Sequence, residues 1–299
     1  MKLSICVITM NRAAQLKEAL ESCLFCELPK ETEFVVIDNA SSDDTEQTVH
    51  TVLGECGYSY YYEKLAKNLG VGGGRNYAYE KSCGNYTYML DDDAVIDVEK
   101  NPDFFLRAIN ILNENSDIVT LTTQIYDTAW KKNRLDEGGP IISEELYKCL
   151  MFCGGSHFLR RAFYEKAPYL PNKYGYEEIP PSLVAMDAGK INAFCANLWI
   201  THKPAVNKWD WHDEKNHELL IKEIALPYAI KKMMYPTILA PMLWLAATVR
   251  TKKYAASITN AKKQINDMKR MVMESYPVNR KIALSTLVKM FKDFGLSVF

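Results

Sequence analysis

An α/β fold, an open and mostly parallel sheet flanked by helices with a helical C-terminal extension, follows from three features of the sequence. Apolar strand-like runs alternate with helical periods over the first 95 residues. Polar residues follow directly on several of those runs, where a parallel sheet presents its carboxyl ends. From about His217 onward the apolar residues keep a helical period.

The elements read in order. Leu3 to Thr9 is a continuous apolar run, as a strand covered on both faces requires. Asn11 opens a helical stretch with Leu16, Ala19, Leu20, Cys23 and Leu24 at helical spacing. Phe34 to Ile37 is a second strand, ending in Asp38. Ser42 is placed to cap a helix through Leu53, with Asp43, Asp44 and Glu46 in its first turn, where the helix dipole favours acids. Tyr58 to Tyr62 is a third strand, Gly72 to Ser82 a glycine-opened helix and Tyr86 to Leu90 a fourth strand running into Asp91-Asp92-Asp93. Right-handed crossovers then place these strands side by side. Further on, Phe104 to Leu112 predicts a helix and Ile118 to Gln124 a strand. Phe152 to Ser156 is a glycine turn before another strand and helix, and Pro168 to Pro181 a long loop.

The 299 residues are 48% hydrophobic and 24% charged, which supports a real core and excludes a disordered chain. The net charge of −1 gives no basic excess for nucleic acid. That balance hides an asymmetry: from Ala229 to Phe299 there are 13 Lys/Arg against three acids. An acidic body with a basic tail suits an anionic partner. The start carries no signal-peptide pattern, so a cytoplasmic location with eight reduced cysteines is expected. Cys23 and Cys26 lack a second pair and read as buried thiols.

The sharpest chemical signal is Asp91-Asp92-Asp93. Alternation turns Asp91 and Asp93 one way and Asp92 the other. Two carboxylates ~6–7 Å apart repel by roughly 2–3 kcal/mol, a cost that a bound Mg²⁺ or Mn²⁺ removes while bridging to phosphates. The glycines from Gly70 to Gly74 match neither the dinucleotide fingerprint, which needs glycine where Arg75 stands, nor the P-loop. They open either backbone amides to an anion or a close helix–sheet contact. Glu177-Glu178 can pair a general base with a structural acid. His202 ends an apolar run and is placed to ligate a metal or to close the strand. His212 and His217, without a matching ligand set, read as surface residues.

Taken together these segments resemble the family-2 glycosyltransferases of the GT-A fold, a Rossmann-type sheet that serves inverting sugar transfer from a nucleotide donor. SICVITMNRAAQL is similar to that family's first strand and turn, and VVIDNASSDDT to its second. NLGVGGGRNYAYEKSCGNYTYMLDDDAVI resembles its N-x-G segment, Arg/Asn helix start and DxD strand, and CGGSHFLRRAFYEKAPYLP its acceptor-side glycine segment and helix. The resemblance spans about residues 3–205. It implies a catalytic domain over 1–215, with a nucleotide-binding half (1–95) and an acceptor half (96–215), and a basic helical extension over 216–299.

The same resemblance implies roles. Asp38, Thr9 and Arg12 line the base pocket, Arg75 lies near the base or diphosphate, and Asp91 and Asp92 belong to the nucleotide-sugar site. Asp93 holds Mn²⁺ or Mg²⁺, with His202 as a further ligand. Glu178 falls at the catalytic base and Glu177 beside it. The donor is expected to be UDP- or dTDP-linked and the acceptor a glycan or lipid-linked sugar. Two departures stand out: Glu replaces the usual Asp base, and Val184 stands where the family has Arg. A non-catalytic nucleotide-sugar-binding subunit and a haloacid-dehalogenase-like phosphatase, whose nucleophile motif Leu90 to Val95 resembles, are the competing readings. The run from Pro236 to Val249 is shorter than the ~20 residues that span a bilayer. With Arg250, Lys252, Lys253, Lys262, Lys263, Lys269 and Arg270 beside it, it predicts peripheral contact with the inner face of the membrane, packing in a homo-oligomer, or both.

Overall fold

The computed structural model describes residues 2–135, 139–173, 175–204, 217–252, 257–275 and 281–299. Its first half is β1 (Lys2–Thr9), α1 (Ala13–Leu24), β2 (Glu31–Asp38), α2 (Thr45–Leu53), β3 (Ser59–Lys64), α3 (Gly70–Lys81) and β4 (Tyr86–Asp91). The middle adds β5 (Ala94–Ile96), α4 (Phe104–Glu114), β6 (Ile118–Asp127), β7 (Lys132–Asn133), β8 (Ile141–Ser143), β9 (Leu146–Lys148), β10 (Ser156–Arg160), α5 (Ile179–Asp187) and β11 (Ile191–His202). The C-terminal part is α6 (His217–Met234), α7 (Ala240–Lys252), α8 (Ile258–Ser275) and α9 (Leu284–Phe294). His212 and Lys253 of the sequence reading lie outside the described residues.

The strands form one sheet ordered β3-β2-β1-β4-β10-β6-β11-β9-β8, with β5 also on β11 and β7 on β6. The first four strands pair in parallel, as do β6 and β11. β10 enters antiparallel between β4 and β6 and joins the two parallel groups. The apolar run of β1 is explained by helices on both faces. Leu3, Ile5 and Val7 pack with Leu16, Leu20 and Phe104 on one side, while Cys6 packs with Ala78, Tyr79 and Tyr169 on the other.

Three local expectations are corrected. Ser42 does not cap α2. Asn11, in the left-handed region at φ 54°, accepts from the Ser42 amide and hydroxyl, and the helix begins at Thr45. The Asp43 carboxylate meets the Thr45 amide and hydroxyl and the Ala13 amide there. The helix expected directly after β10 does not form over the described residues 161–173. The chain makes one turn, with the Phe163 and Tyr164 amides on the Arg160 carbonyl, and Pro168 disfavours helical geometry at Ala167. Finally, the loop from Pro168 ends early, because Pro180 and Pro181 sit in the first turn of α5, where a missing N–H costs nothing.

The glycines of α3 serve close packing. The Val71 and Gly72 amides donate to the Lys173 and Asn172 carbonyls, and the Gly70 amide to Asn68 Oδ1, so these three are engaged by the chain itself. A Cβ on Gly72 would stand 1.8 Å from the Leu170 carbonyl oxygen.

The C-terminal helices build a second core on α5. Ile179, Leu183 and Leu170 pack there with Leu226, Ile230, Tyr235, Leu243 and Leu287. Asp187 accepts from the Ala283 amide and Thr286, and Lys281 caps the end of α6 through the Lys232, Met233 and Tyr235 carbonyls. Gly72→Ala should therefore destabilise by about 3 kcal/mol or more, since backbone must shift. Gly189→Ala, at φ +74° but in open space, should cost only about 1 kcal/mol. Urea unfolding midpoints check the difference.

Candidate active site

The carboxyl ends of β1, β4, β6 and β11 meet at one place. β11 is irregular between Cys195 and Trp199, and beyond this its last residues pair with β5 on one side and β6 on the other. That register sets His202 opposite Ala94 and opposite Asp127. His202 Nε2 lies 3.2 Å from Asp93 Oδ1, and Nδ1 lies 2.9 Å from Asp127 Oδ2. Arg134 holds Asp127 from Nε at 3.0 Å and Nη2 at 2.7 Å.

Asp91, Asp93 and His202 each offer a ligand atom, all within 4.8 Å of one another. Asp92 turns elsewhere, accepting from Thr9 Oγ1 at 2.7 Å and Arg12 Nη1 at 2.8 Å. The same Arg12 nitrogen reaches Asp93 Oδ2 at 2.8 Å. Among the predicted residues, Thr9, Arg12, Asp92, Asp93, His202 and Asp91 thus form one connected group. Asp38 stands apart from it. It is fully buried, with Oδ1 on the Ser41 amide and Oδ2 on the Tyr62 hydroxyl, and it shapes the loop after β2.

On the other side of Asp91 lies Arg75, buried, with Nη2 2.6 Å from Asp91 Oδ1 and Nη1 on Glu177 Oε1. The glycine turn before β10 makes room for this arrangement. A Cβ on Gly154 would meet Arg75 Nη1 at 2.6 Å, and one on Gly155 would meet Asp91 Oδ2 at 2.9 Å. Glu178 is half-buried at the N-terminus of α5 beside that ion pair.

The electrostatics follow the burial. Burial pushes the Asp92 carboxyl up to about 6 against the pull of Arg12. Burial also opposes ionisation of Asp93, but the His202 hydrogen bond and the charges of His202 and Arg12 outweigh it and hold the carboxyl below its usual range. For His202 burial disfavours the cation, and the bond to Asp93 with the nearby aspartates raises it. Glu177 and Glu178 are both raised, by burial foremost; for Glu178 the neighbouring Glu177 charge adds to it. The acids Asp91, Asp92, Asp93, Asp127, Glu177 and Glu178 face the guanidiniums of Arg12, Arg75 and Arg134. Two carboxylates and an imidazole, in surroundings with excess negative charge, fit a divalent cation such as Mn²⁺.

Sequence reasoning missed Asp127 and Arg134. The signal was present, since Asp127 is a polar residue at a strand's carboxyl end. The predicted strand stopped at Gln124, three residues short of it.

Residues 4–167 match the family described as "Glycosyl transferase family 2". A stretch of 92 residues is 32% identical to a GalNAc(5)-diNAcBac-PP-undecaprenol beta-1,3-glucosyltransferase of Campylobacter jejuni, covering 31% of this chain. The match spans 29% of that relative's length. The fold is similar to S. aureus TarS 1-349 in complex with UDP-GlcNAc, at a TM-score of 0.57 and 18% identity over 94% of this chain and 93% of that one. It is also similar to the mannosyltransferase PcManGT from Pyrobaculum calidifontis in complex with GDP-Man and Mn²⁺, at 0.59 and 15% over 100% and 81%. The chain belongs to glycosyl transferase family 2, and its α/β fold with a C-terminal helical region is that of the GT-A neighbours.

Asp127 orients His202 without reaching the cluster itself. Asp127→Asn should lower Mn²⁺ affinity about 10–100-fold. Asp117→Asn, which removes only an exposed pair with Lys190, should leave it unchanged. Mn²⁺ titration followed by electron paramagnetic resonance checks both.

Proposed function

We propose that this chain transfers a sugar from a nucleotide-diphosphate donor to a glycan or lipid-linked acceptor with inversion, assisted by a divalent cation. The observation that carries the reading is the Asp91, Asp93 and His202 cluster joined through Arg75 to Glu177, next to Glu178. The family assignment and the nucleotide sugars held by TarS and PcManGT support the donor class. The PcManGT complex with Mn²⁺ supports the cation.

In this reading residues 1–95 hold the nucleotide, 96–215 the acceptor, and 216–299 form a supporting extension. Asp93 and His202 hold the cation with Asp91, and Thr9, Arg12, Asp38, Arg75 and Asp92 shape the nucleotide-sugar site. When bound, the cation neutralises the diphosphate leaving group. Arg12 keeps Asp92 and Asp93 in place, and Arg75 keeps Asp91 aligned with Glu177. Glu178 accepts the proton of the acceptor hydroxyl. The oxygen then bonds to the anomeric carbon from the face opposite the nucleotide, as the bond to the diphosphate breaks. One base suffices for such a single displacement.

The raised carboxyl of Glu178 suits a general base, which works best with a pKa near the working pH. Its proton is retained to higher pH than on an ordinary glutamate, so kcat should fall as pH drops through a value above the usual carboxylate range. Glu178→Gln should keep donor affinity and lose at least about 100-fold in kcat together with that acid limb. Should Glu177→Gln show this pattern instead, the base is the neighbouring residue.

We also propose that the extension touches an anionic membrane face. Among the described residues no helix is long and apolar enough to cross a membrane. Met242, Leu245 and Val249 of α7 are exposed at spacings of one helix face, with Ile238 exposed in the turn before it, and so are Leu284, Val288 and Phe291 of α9. Lys252, Lys262, Lys263, Lys289 and Lys292 lie exposed in the same region. The chain should co-sediment with anionic but not neutral vesicles, and salt should release it. Binding indifferent to salt, or a dimer in solution that buries these faces, would overturn membrane contact.

A further inference from the structure

Two adjoining cavities lie between α5 and the C-terminal helices, outside the cluster described above. The larger, about 220 Å³, is lined by Lys231 and Arg250 together with Tyr176, Tyr228, Leu243 and Phe299. The smaller, about 140 Å³, shares Tyr176 and Lys231 and continues along Ile179 and Ser182 of α5. Glu178 directly precedes that helix, and Tyr176 directly precedes the Glu177-Glu178 pair.

Among the described side chains that line the cavities, the charged ones, Lys231 and Arg250, carry the same sign beside apolar neighbours. Among the described residues neither Lys231 nor Arg250 pairs with a carboxylate. Burial and the charge of Arg250 push the Lys231 ammonium down to about 8. Lys232 is lowered too, by burial and by the charges of Lys269 and Lys281. Two cations held near each other without an acid repel, and an anion between them removes that cost. In the smaller cavity Ser182 Oγ is buried without a hydrogen-bond partner, a polar group left for a ligand to satisfy. Apart from the hydroxyls of Tyr176, Tyr228, Tyr235 and Ser297, the remaining walls are apolar, as a hydrocarbon chain requires.

We infer that these cavities seat the phosphate head and the first part of the hydrocarbon chain of a lipid-linked acceptor, with Lys231 and Arg250 on the phosphate. The inference rests on the transferase reading and adds to it the acceptor class and the place where it is held. Bound there, the sugar attached to the phosphate lies along α5 toward Glu178. The apolar chain leaves toward the exposed faces of α7 and α9.

The test uses the full chain and calorimetric titration with octyl phosphate below its micelle concentration. Inorganic pyrophosphate and octyl glucoside separate the charge from the chain, and a nucleotide diphosphate with Mn²⁺ reports the donor site. Octyl phosphate should bind more tightly than either control. Lys231→Gln combined with Arg250→Gln should weaken it at least about tenfold, the low end for a lost charge-assisted contact, and leave nucleotide affinity unchanged. Because the nucleotide arm also reports folding, a misfolded variant is recognised, and Lys231→Gln alone then serves in its place. The inference fails if the wild type does not bind octyl phosphate, if the variant binds it equally, or if pyrophosphate or octyl glucoside binds as well. Octyl phosphate binding in a protein that binds no nucleotide sugar would instead keep the cavity and refute the transferase.

Discussion

The buried guanidinium of Arg75 is the interaction on which the site depends. It is the only group described that reaches both the end of β4, through Asp91, and the segment before α5, through Glu177. A fully desolvated ion cannot be left half-paired, since removing one partner of a buried pair costs several kcal/mol. The geometry around it is therefore fixed in advance. Gly154 and Gly155 must lack side chains, β10 must enter between β4 and β6, and the loop carrying Glu177 must lie against α3. The close packing of Gly70 and Gly72 on residues 170–173 meets the last condition. The glycines before Arg75 thus serve the far side of the site: the Val71 and Gly72 amides are used on that contact, and the Gly70 amide on Asn68.

A second constraint acts through the sheet. Asp93 and Asp127 lie on segments far apart in the chain and come together because the end of β11 lies between β5 and β6. His202 then has a carboxylate at each ring nitrogen. One of these, Asp127, is tied down by Arg134, so Nε2 is the nitrogen left to the cluster. Such an arrangement fixes the ring without using the atoms that face the ligand.

Much of this was legible in the sequence where the signal was local. The strands β1 to β4 and their helices follow from periodicity, and Asp91 to Asp93 stand out because they end an apolar strand. His202 was singled out by the same logic. What was not legible depended on long-range pairing. The short strands β5, β7, β8 and β9 have two or three residues each, too few to show a period. Asp127 was passed over because Thr122 to Gln124 break the apolar run before the strand ends. The proline-rich loop hid the start of α5, since Pro180 and Pro181 read as breakers until their place in the first turn is known. The purpose of the glycine run was open for the same reason. Its partner, residues 170–173, is about a hundred positions away.

The second core has a consequence for how such chains can be recombined. Leu170, Ile179 and Leu183 belong to the C-terminal helices as much as to the sheet domain, and Asp187 is bonded to both Ala283 and Thr286. The natural seam for a chimera is therefore not the stretch between β11 and α6, where the chain passes from sheet to helices. A graft of residues 217–299 onto a related sheet domain would arrive without the surface it was fitted to. An exchangeable module has to include the segment from Leu170 to Asp187, and with it Glu177 and Glu178, so the C-terminal helices and the carboxylates beside Arg75 are inherited together.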